Sequence, residues 1–428
     1  MSTAPSAGRT VPFHVPHVAD RQFTYLREAL DSGDHDGDGP FTARATGLLT
    51  RRTGAGHALL TPSCTHALEI AALLLDLAPG DEVVMPSFTF APTASAFALR
   101  GAVPVFVDCR PDTLDLDESL LESAITARTR AIIAVHYAGV ACEMREVMRI
   151  ADAHGIPVIE DNAHGLGGSY QGRPLGGFGV LAAQSFHATK NAHCGKGGAL
   201  LVNDENLVDR ATIIRDRGTN RQQYFHGRVD KYRWVDLGSS YILPEMLAAL
   251  LAAQLEEYDT IQKRRHAVWN LYHARLAEWA SDQGVELPTV PDDRTHSAHL
   301  YHLLTPSEDD RVALLAHLAE HGVQATFHFQ PLHTSPAGVR YGRPAPGGCP
   351  VTERVADRLV RLPLHTELSD AQAERVVDAL LSFRTGASRA TRTSGSVPAG
   401  PAGSAPARAT GSAPARATGS APDRKGPS

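Results

Sequence analysis

The chain contains 428 residues, of which 43% are hydrophobic and 21% charged, with a formal net charge of −6 at pH 7. It is long enough for two sizeable cores, and its modest charge argues against a general nucleic-acid-binding protein, which would show a basic stripe. No apolar run approaches the ~20 residues that span a bilayer. Because residues 1–10 also lack the apolar core of a signal peptide, we expect a cytoplasmic protein without membrane contact. The five cysteines form no Cys-x-x-Cys pair, which agrees with reduced thiols.

Short apolar segments alternate with helical patterns up to about residue 258. Buried strands are predicted at 83–85, 103–107, 131–135 and 157–159, and helices at 91–99 and 143–154. Gly101 and Gly155 stand where glycines end helices. This alternation favours an α/β fold with a mostly parallel sheet that helices cover on both faces. Ligands of such sheets bind beyond the carboxyl ends of the strands.

The pattern changes after residue 258. A charged helix at 259–280, a strand at 300–304, a helix at 311–321, a strand at 324–329 and a helix near 370–383 indicate a smaller α+β domain. From about residue 386 the chain is mostly Ala, Gly, Pro, Ser, Thr and Arg, carries a short repeat and cannot bury a core. We therefore predict an N-terminal arm (1–45), a large α/β domain (46–258), a small α+β domain (259–384) and a disordered repeat tail (385–428).

The segment Ser185-Phe186-His187-Ala188-Thr189-Lys190-Asn191 precedes a glycine-rich stretch at 195–199. Of the 41 basic residues only five are lysines, at positions 190, 196, 231, 263 and 425. Arginine stays protonated near neutral pH, whereas a lysine with a lowered pKa can attack an aldehyde. Lys190 is therefore a candidate for a Schiff base with pyridoxal phosphate (PLP), and a solvated surface lysine is the alternative.

Two further features stand where a phosphorylated aldehyde needs them. Ser63, Cys64 and Thr65 lead from a strand into a helix predicted at 65–75. The N–H groups at such a helix start suit a phosphate, although an ordinary capped helix has the same pattern. Asp161 lies at the end of a buried strand, where its carboxylate would either pair with the pyridinium nitrogen of the cofactor or cap a turn.

Lys190 follows Asp161 by 29 residues, which is enough for one loop (165–179) and one strand (182–186). The lysine would then leave a neighbouring strand at the same sheet edge and face the cofactor from a second direction. Phe88 also lies at the carboxyl end of a strand. It would stack on the pyridine ring, although phenylalanine is more often a core residue.

Together these motifs resemble the sugar-nucleotide aminotransferases of the DegT/StrS family, which are PLP enzymes of the aspartate-aminotransferase fold (fold type I). The resemblance spans roughly residues 11–384. Its anchors are Pro79-Gly80-Asp81-Glu82-Val83, Pro86-Ser87-Phe88-Thr89-Phe90, Val158-Ile159-Glu160-Asp161, the segment from Ser185 to Asn191, and Gly197-Gly198-Ala199. It implies Lys190 as the Schiff-base residue and Asp161 as the pyridinium partner.

The resemblance also implies the other cofactor contacts. Thr65 and Ser185 would bind the phosphate, next to Ser63 and Cys64, and Cys64 replaces a usual glycine. Phe88 would lie over the ring. His164 would touch the ring hydroxyl, at a position where the family usually has glutamine.

A finer resemblance is to the branch that makes TDP-4-amino-4,6-dideoxyhexoses. It is carried by Arg217-Gly218-Thr219-Asn220-Arg221, Val229-Asp230-Lys231-Tyr232 with Trp234, and Gly238-Ser239-Ser240-Tyr241. Most of the wider family has Asn and Arg where this chain has Ser240 and Ile242. In the family the residue at the position of Ser240 reaches the cofactor phosphate of the neighbouring subunit, which implies a homodimer with active sites at the interface.

Five residues are candidate substrate contacts: His187, Arg221, Lys231, His328 and His333. In the family the region of the last two approaches the sugar, although a solvated loop would look the same. Arg221 and Lys231 would meet a diphosphate or the donor carboxylates, or be solvated charges. The histidines at 296, 299 and 302 match no metal-binding pattern, so no metal is expected.

The resemblance implies a specific reaction. An amino group would move from L-glutamate, released as 2-oxoglutarate, to C4 of TDP-4-keto-6-deoxy-D-glucose, for antibiotic or cell-surface sugar biosynthesis. One alternative is the same chemistry at C3 of a 3-keto sugar. Another is a dehydratase of the same fold, in which histidine replaces the lysine. The third is a non-catalytic regulator that binds a nucleotide sugar.

Overall fold

The structure is a computed structural model that describes residues 10–386. The predicted repeat tail (385–428) lies outside the described residues from residue 387 onward. Its first two residues, Thr385 and Gly386, are described and bond to residues that precede the tail. The N–H of Thr385 donates to Gln283 Oε1 (3.0 Å) and the N–H of Gly386 donates to Asp310 Oδ1 (2.7 Å).

The strands and helices follow in chain order. The strands are β1 (His57–Thr61), β2 (Glu82–Pro86), β3 (Val103–Val107), β4 (Thr129–Val135), β5 (Val158–Asp161), β6 (Ser169–Tyr170), β7 (Arg173–Pro174), β8 (Leu181–Ser185), β9 (Gly198–Val202), β10 (Arg294–Thr295), β11 (Tyr301–Leu304), β12 (Arg343–Pro344) and β13 (Leu359–Leu362). The helices are α1 (Gln22–Asp31), α2 (Pro40–Thr53), α3 (Cys64–Leu74), α4 (Ala91–Ala98), α5 (Leu121–Ala124), α6 (Met144–His154), α7 (Val208–Arg215), α8 (Arg221–Phe225), α9 (Glu245–Glu256), α10 (Tyr258–Gln283), α11 (Glu308–Glu320), α12 (Pro336–Tyr341), α13 (Pro350–Arg358) and α14 (Asp370–Ser382).

One sheet of eight strands has the order β1-β9-β8-β5-β4-β2-β3-β12. Every neighbouring pair within the run β8-β5-β4-β2-β3-β12 is parallel. Strand β9 runs antiparallel to both of its neighbours, β8 and β1. The mostly parallel sheet predicted from the sequence is confirmed. The connection between Asp161 and Lys190 also holds a hairpin of β6 and β7, which pairs with β10.

Helices cover both faces of this sheet. Val83 and Met85 pack with α3, α4 and α7 on one face, and Val84 packs with α5 and α6 on the other. Farther along that second face, α2 and α9 cover β1, β8 and β9. Because the central strands are buried on both sides, their sequences are continuous apolar runs rather than alternating patterns.

The residues from α10 onward fold around a core of their own. Helices α10, α11 and α14 enclose the two-stranded sheet of β11 and β13, with Tyr272, Tyr301 and Leu314 among the buried residues. This arrangement confirms the predicted smaller α+β part. Among residues 10–386, no helix has both the length and the apolar character needed to cross a membrane.

The predicted strand at 324–329 is not formed. Val323 bridges Val11 and Thr326 bridges Arg361, each as a single pair. Since these partners belong to different segments, no single neighbouring strand runs alongside this stretch and no ladder develops.

Some predicted boundaries also differ from the structure. The boundary between residues 45 and 46 falls inside α2, whose Ala45 and Leu49 are buried in the core of the large sheet. Helix α11 begins at Glu308, earlier than predicted, because the side chain of Ser307 caps it by accepting from the N–H of Asp310.

Glu160 fixes the edge of the sheet beside Asp161. Its fully buried carboxylate accepts from the backbone N–H groups of Gly176, Phe178 and Gly179 and pairs with His136 Nε2 at 2.9 Å. Burial raises the pKa of Glu160, but the bonds from His136 and the backbone outweigh it and hold the pKa below its usual range. The carboxylate therefore stays charged and ties the loop before β8 to β5.

We predict that Glu160→Gln lowers the free energy of unfolding by about 3 kcal/mol. Each carboxylate oxygen accepts two hydrogen bonds, and an amide would turn its NH2 toward two of these donors. Urea unfolding of both proteins measures the loss. The control Glu278→Gln, at an exposed position of α10, should change stability by less than about 0.5 kcal/mol, and an equally small loss for Glu160→Gln would contradict the anchoring role.

Candidate active site

A cavity of about 420 Å³ lies where the carboxyl ends of β5 and β8 meet the C-terminal α+β part. Nine of the residues predicted from the sequence line it: Ser63, Cys64, Thr65, Asp161, His164, Ser185, His187, Lys190 and His328. Residues separated by up to 265 positions are thus brought to one cavity. Five predicted residues do not line it: Phe88, Arg221, Lys231, Ser240 and His333.

Asp161 is the last residue of β5 and is 6% exposed. Thr93 Oγ1 donates to Asp161 Oδ2 at 2.8 Å, and the N–H of Ala163 donates to Oδ1 at 3.2 Å. Thr93 is itself bonded to Thr89 at 2.9 Å. These contacts fix the orientation of the carboxylate in the cavity wall.

Lys190 reaches the same cavity from the loop after β8. Its own N–H donates to the carbonyl of His187 at 2.8 Å, which holds the turn that carries it. Burial lowers the pKa of Lys190 to about 8, against the opposing influence of Cys64 and Asp161. About a tenth of the amine is therefore unprotonated at pH 7, against less than a thousandth at the usual lysine pKa, which makes it available as a nucleophile or base.

The N-terminus of α3 forms another wall of the cavity. Ser63 is the N-cap, and its hydroxyl accepts from the N–H of His66 at 3.2 Å. The N–H groups of Cys64 and Thr65 belong to the first turn and have no intrahelical acceptor. Gly198 packs against this turn so closely that a Cβ atom there would lie 2.4 Å from the backbone nitrogen of Cys64. A helix start with free donors suits an anionic group.

Histidines form a neutral side of the cavity. The rings of His164 and His299 stack with centroids 4.2 Å apart, and His299 Nδ1 bonds to Asn191 Oδ1 at 2.9 Å. Since a carboxamide oxygen only accepts, His299 Nδ1 carries the proton. Burial lowers the pKa of both histidines well below the usual value, and Lys190 lowers it further. The buried Nδ1 of His164 has no hydrogen-bond partner among residues 10–386.

Phe90, rather than the predicted Phe88, lines the cavity. Phe88 is buried behind the wall, with ring centroids 5.0 Å from Tyr137 and 5.7 Å from Phe329. Strand β2 ends at Pro86, and the side chain of Phe88, in the turn that follows, packs into the core instead of the cavity. A ring contact would therefore come from Phe90, which is 62% exposed.

His328 and His333 were both candidate substrate contacts, but only His328 lies in the cavity. His328 lines the cavity and its Nδ1 bonds to the hydroxyl of Tyr137 at 2.8 Å. His333 lies outside it, bonded to Ser87 Oγ at 2.7 Å and to a carboxylate oxygen of Glu353 at 2.9 Å. Only His328 is thus placed to meet a ligand in this cavity.

Arg221, Lys231 and Ser240 lie on the segment between α7 and α9, outside the cavity of their own chain. Arg221 stacks over the ring of Phe225 at 5.3 Å, and the exposed Ser240 forms a backbone bridge with Asp216. Within one chain, none of the three contributes to the site.

The structure adds residues that sequence reasoning missed. Phe13 and His14 enter the cavity from the N-terminal segment, where His14 Nε2 bonds to the carbonyl of Ala188 at 2.8 Å. Arg361 enters from β13. No local pattern distinguishes these residues, because their role depends on contacts far along the chain. For Thr93, which orients Asp161, the sequence offered one signal: it lies four positions after Thr89, a spacing at which side chains of a helix meet.

A family model for the DegT/DnrJ/EryC1/StrS aminotransferase family matches residues 16–381. The chain belongs to this family. It is therefore an aminotransferase, and the cavity with Lys190 and Asp161 is its candidate active site.

Solved structures agree with this assignment. An aminotransferase TlmJ from Streptoalloteichus hindustanus is 29% identical, with a TM-score of 0.80 over 90% of this chain and 100% of that one. DesV of S. venezuelae is 33% identical, with a TM-score of 0.77 over 84% and 93%. Spr1654 of Streptococcus pneumoniae, in its PLP form, is 26% identical, with a TM-score of 0.79 over 87% and 98%. The fold is thus shared over nearly the whole of each relative.

We predict that the rate at which Lys190 of the apo protein reacts with pyridoxal phosphate rises with pH through about 8 and then levels off. Only the unprotonated amine attacks an aldehyde, and its fraction grows as pH rises through the lowered pKa. Borohydride trapping at a series of pH values, followed by peptide mapping, measures the adduct on Lys190, with Lys190→Arg as the blank. A rate that still climbs about tenfold per unit above pH 9 would indicate an ordinary lysine.

Proposed function

We propose that this aminotransferase uses PLP to move the amino group of L-glutamate to C4 of TDP-4-keto-6-deoxy-D-glucose. The observation that carries the proposal is the convergence of Asp161, Lys190 and the free N-terminus of α3 on one cavity. Asp161 would supply an anion for the ring nitrogen of the cofactor, and Lys190 an amine for its aldehyde. The N–H groups at the start of α3 would supply donors for its phosphate.

The residues present fit PLP as the cofactor. The N–H groups of Cys64 and Thr65, with the hydroxyl of Ser185, would hold the phosphate. The unpartnered Nδ1 of His164 is available to the ring hydroxyl. When bound, the protonated ring acts as an electron sink for the carbanion next to nitrogen.

Lys190 and Asp161 would divide the work of proton transfer and charge stabilisation. With its pKa near 8, the free Nζ of Lys190 would take the proton from the α-carbon of the donor and deliver it to C4′ of the cofactor. In the second half-reaction it would move a proton from C4′ to the aminated carbon of the sugar. The Asp161 carboxylate, oriented by Thr93 and the N–H of Ala163, would keep the ring nitrogen protonated. PLP-dependent chemistry of this kind fits a retained lysine better than the histidine of a dehydratase.

A second copy of the chain would complete the site. The segment with Arg221, Lys231 and Ser240 exposes large apolar side chains that a monomer would leave in water. These are Tyr224, Phe225, Tyr232, Trp234, Val235 and Leu237, each between 44% and 75% exposed. We propose that this segment packs on a partner in a homodimer and presents Ser240 to the partner's cofactor phosphate and Arg221 or Lys231 to the substrate.

The choice of C4 rests on the segment from 217 to 241. It resembles the branch that makes TDP-4-amino-4,6-dideoxyhexoses, and Ser240 and Ile242 depart from the wider family as that branch does. The TDP group would supply binding energy away from the reacting carbon.

We predict that TDP-4-keto-6-deoxyglucose reacts at least about tenfold faster than its 3-keto isomer when each is offered with PLP and glutamate. The pocket would place only the carbonyl at C4 within reach of the transferred amine. Release of 2-oxoglutarate gives the rate, and NMR of the product gives the aminated carbon.

Each other outcome of that comparison has a definite meaning. Faster turnover of the 3-keto isomer would overturn the C4 assignment and favour a 3-aminotransferase. No release of 2-oxoglutarate with either sugar, in protein that has taken up PLP, would favour a regulator that binds nucleotide sugars.

A further inference from the structure

Arg361 is held rigidly in the wall of the cavity. It lies on β13, paired with His302 of β11 on one side. On the other side its N–H donates to the carbonyl of Thr326 at 2.6 Å, and the N–H of Thr326 donates back at 3.2 Å. The guanidinium carbon lies 5.0 Å from the centroid of the Phe13 ring, which limits the planes the group can adopt.

The charge of Arg361 is not neutralised by the protein. Among residues 10–386, no carboxylate pairs with it, and its buried Nε has no hydrogen-bond partner. Two other arginines in the interior have partners for their guanidinium groups: Arg294 pairs with Glu143 at 2.8 Å, and Arg265 donates to the carbonyls of Ala298 and His299. An arginine keeps its proton even when buried. An unpaired cation facing a cavity is costly unless a ligand supplies the counter-charge.

Arg361 lies on the histidine side of the cavity. The ring of its strand partner His302 lies 5.8 Å from that of Tyr137, whose hydroxyl bonds to His328 Nδ1 at 2.8 Å. In agreement with this placement, the charge of Arg361 lowers the pKa of Lys190, His164 and His328. The cation therefore lies beside the neutral histidines and acts on the reacting amine.

We propose that Arg361 binds a carboxylate of the amino donor and positions its α-carbon at Lys190. This proposal rests on the proposed function, since it names the residue that recognises the donor. A guanidinium donates two parallel N–H bonds to the two oxygens of a carboxylate. Phe13 and the apolar neighbours Leu362 and Leu364 exclude water from this contact. A diphosphate would call for several donors, and Arg361 is a single one.

The test compares the two half-reactions of the PLP-loaded enzyme in Arg361→Gln. The half-reaction with glutamate is followed by the absorbance of the cofactor. Its kcat/KM should fall on the order of a hundredfold, because a charge-assisted bidentate contact is removed. The rate with the sugar nucleotide, starting from the aminated cofactor, should stay within about threefold of the native value. Arg361→Lys keeps the positive charge but lacks the two parallel N–H donors of a guanidinium, so it should recover only part of the lost kcat/KM.

Calorimetry with 2-oxoglutarate adds a readout that does not depend on turnover. Arg361→Gln should weaken its binding on the order of a hundredfold, whereas Arg275→Gln, at an exposed α10 arginine paired with Glu374, should leave it unchanged. A loss confined to the sugar half-reaction would assign Arg361 to the diphosphate, and equal losses in both halves would assign it a structural role. Either result overturns the proposal. A native enzyme that takes up PLP but does not respond to glutamate would instead overturn the proposed function.

Discussion

The parallel pairing of β5 with β8 is the constraint on which the site depends. Asp161 lies opposite Ala183 in this ladder, and the chain leaves β8 directly into the loop that carries Lys190. Successive side chains of a strand point to opposite faces. Glu160 therefore faces the loop before β8 while Asp161 faces the cavity. A register slip of one residue would exchange these two carboxylates and remove both the anchor and the candidate ring partner.

Desolvation gives the cavity its electrostatic character. Burial keeps His164, His299 and His328 neutral at physiological pH by lowering their pKa values. Among the described residues that line the cavity, the remaining charged groups are the cations Lys190, Lys196 and Arg361 and a single carboxylate, Asp161. A cavity with this excess of positive charge favours anionic ligands, as a cofactor phosphate, a donor carboxylate and a nucleotide diphosphate all are.

The sequence was sufficient where a short segment determined the outcome. The central strands, the position of Asp161 at a strand end and a helix start within one residue of the predicted Thr65 follow from local patterns, and the structure has all of them. Prediction failed where a distant partner decides. Arg361 and Phe13 enter the site through contacts with remote segments, and the stretch 324–329 lacks a neighbouring strand. Phe88 was predicted as the ring contact from its place near a strand end and from the family resemblance, but the turn after β2 buries it and brings Phe90 to the cavity.

The most direct test of the account replaces Asp161 by asparagine, since the central claim is that Asp161 and Lys190 act on one cofactor. The amide keeps the shape but cannot hold a proton on the ring nitrogen with a full opposite charge. The decisive measurement is the rate of the glutamate half-reaction in PLP-loaded protein. The account predicts normal cofactor uptake with a rate lowered roughly a hundredfold, about 3 kcal/mol in the barrier. A variant that binds PLP and reacts at nearly the native rate would contradict it.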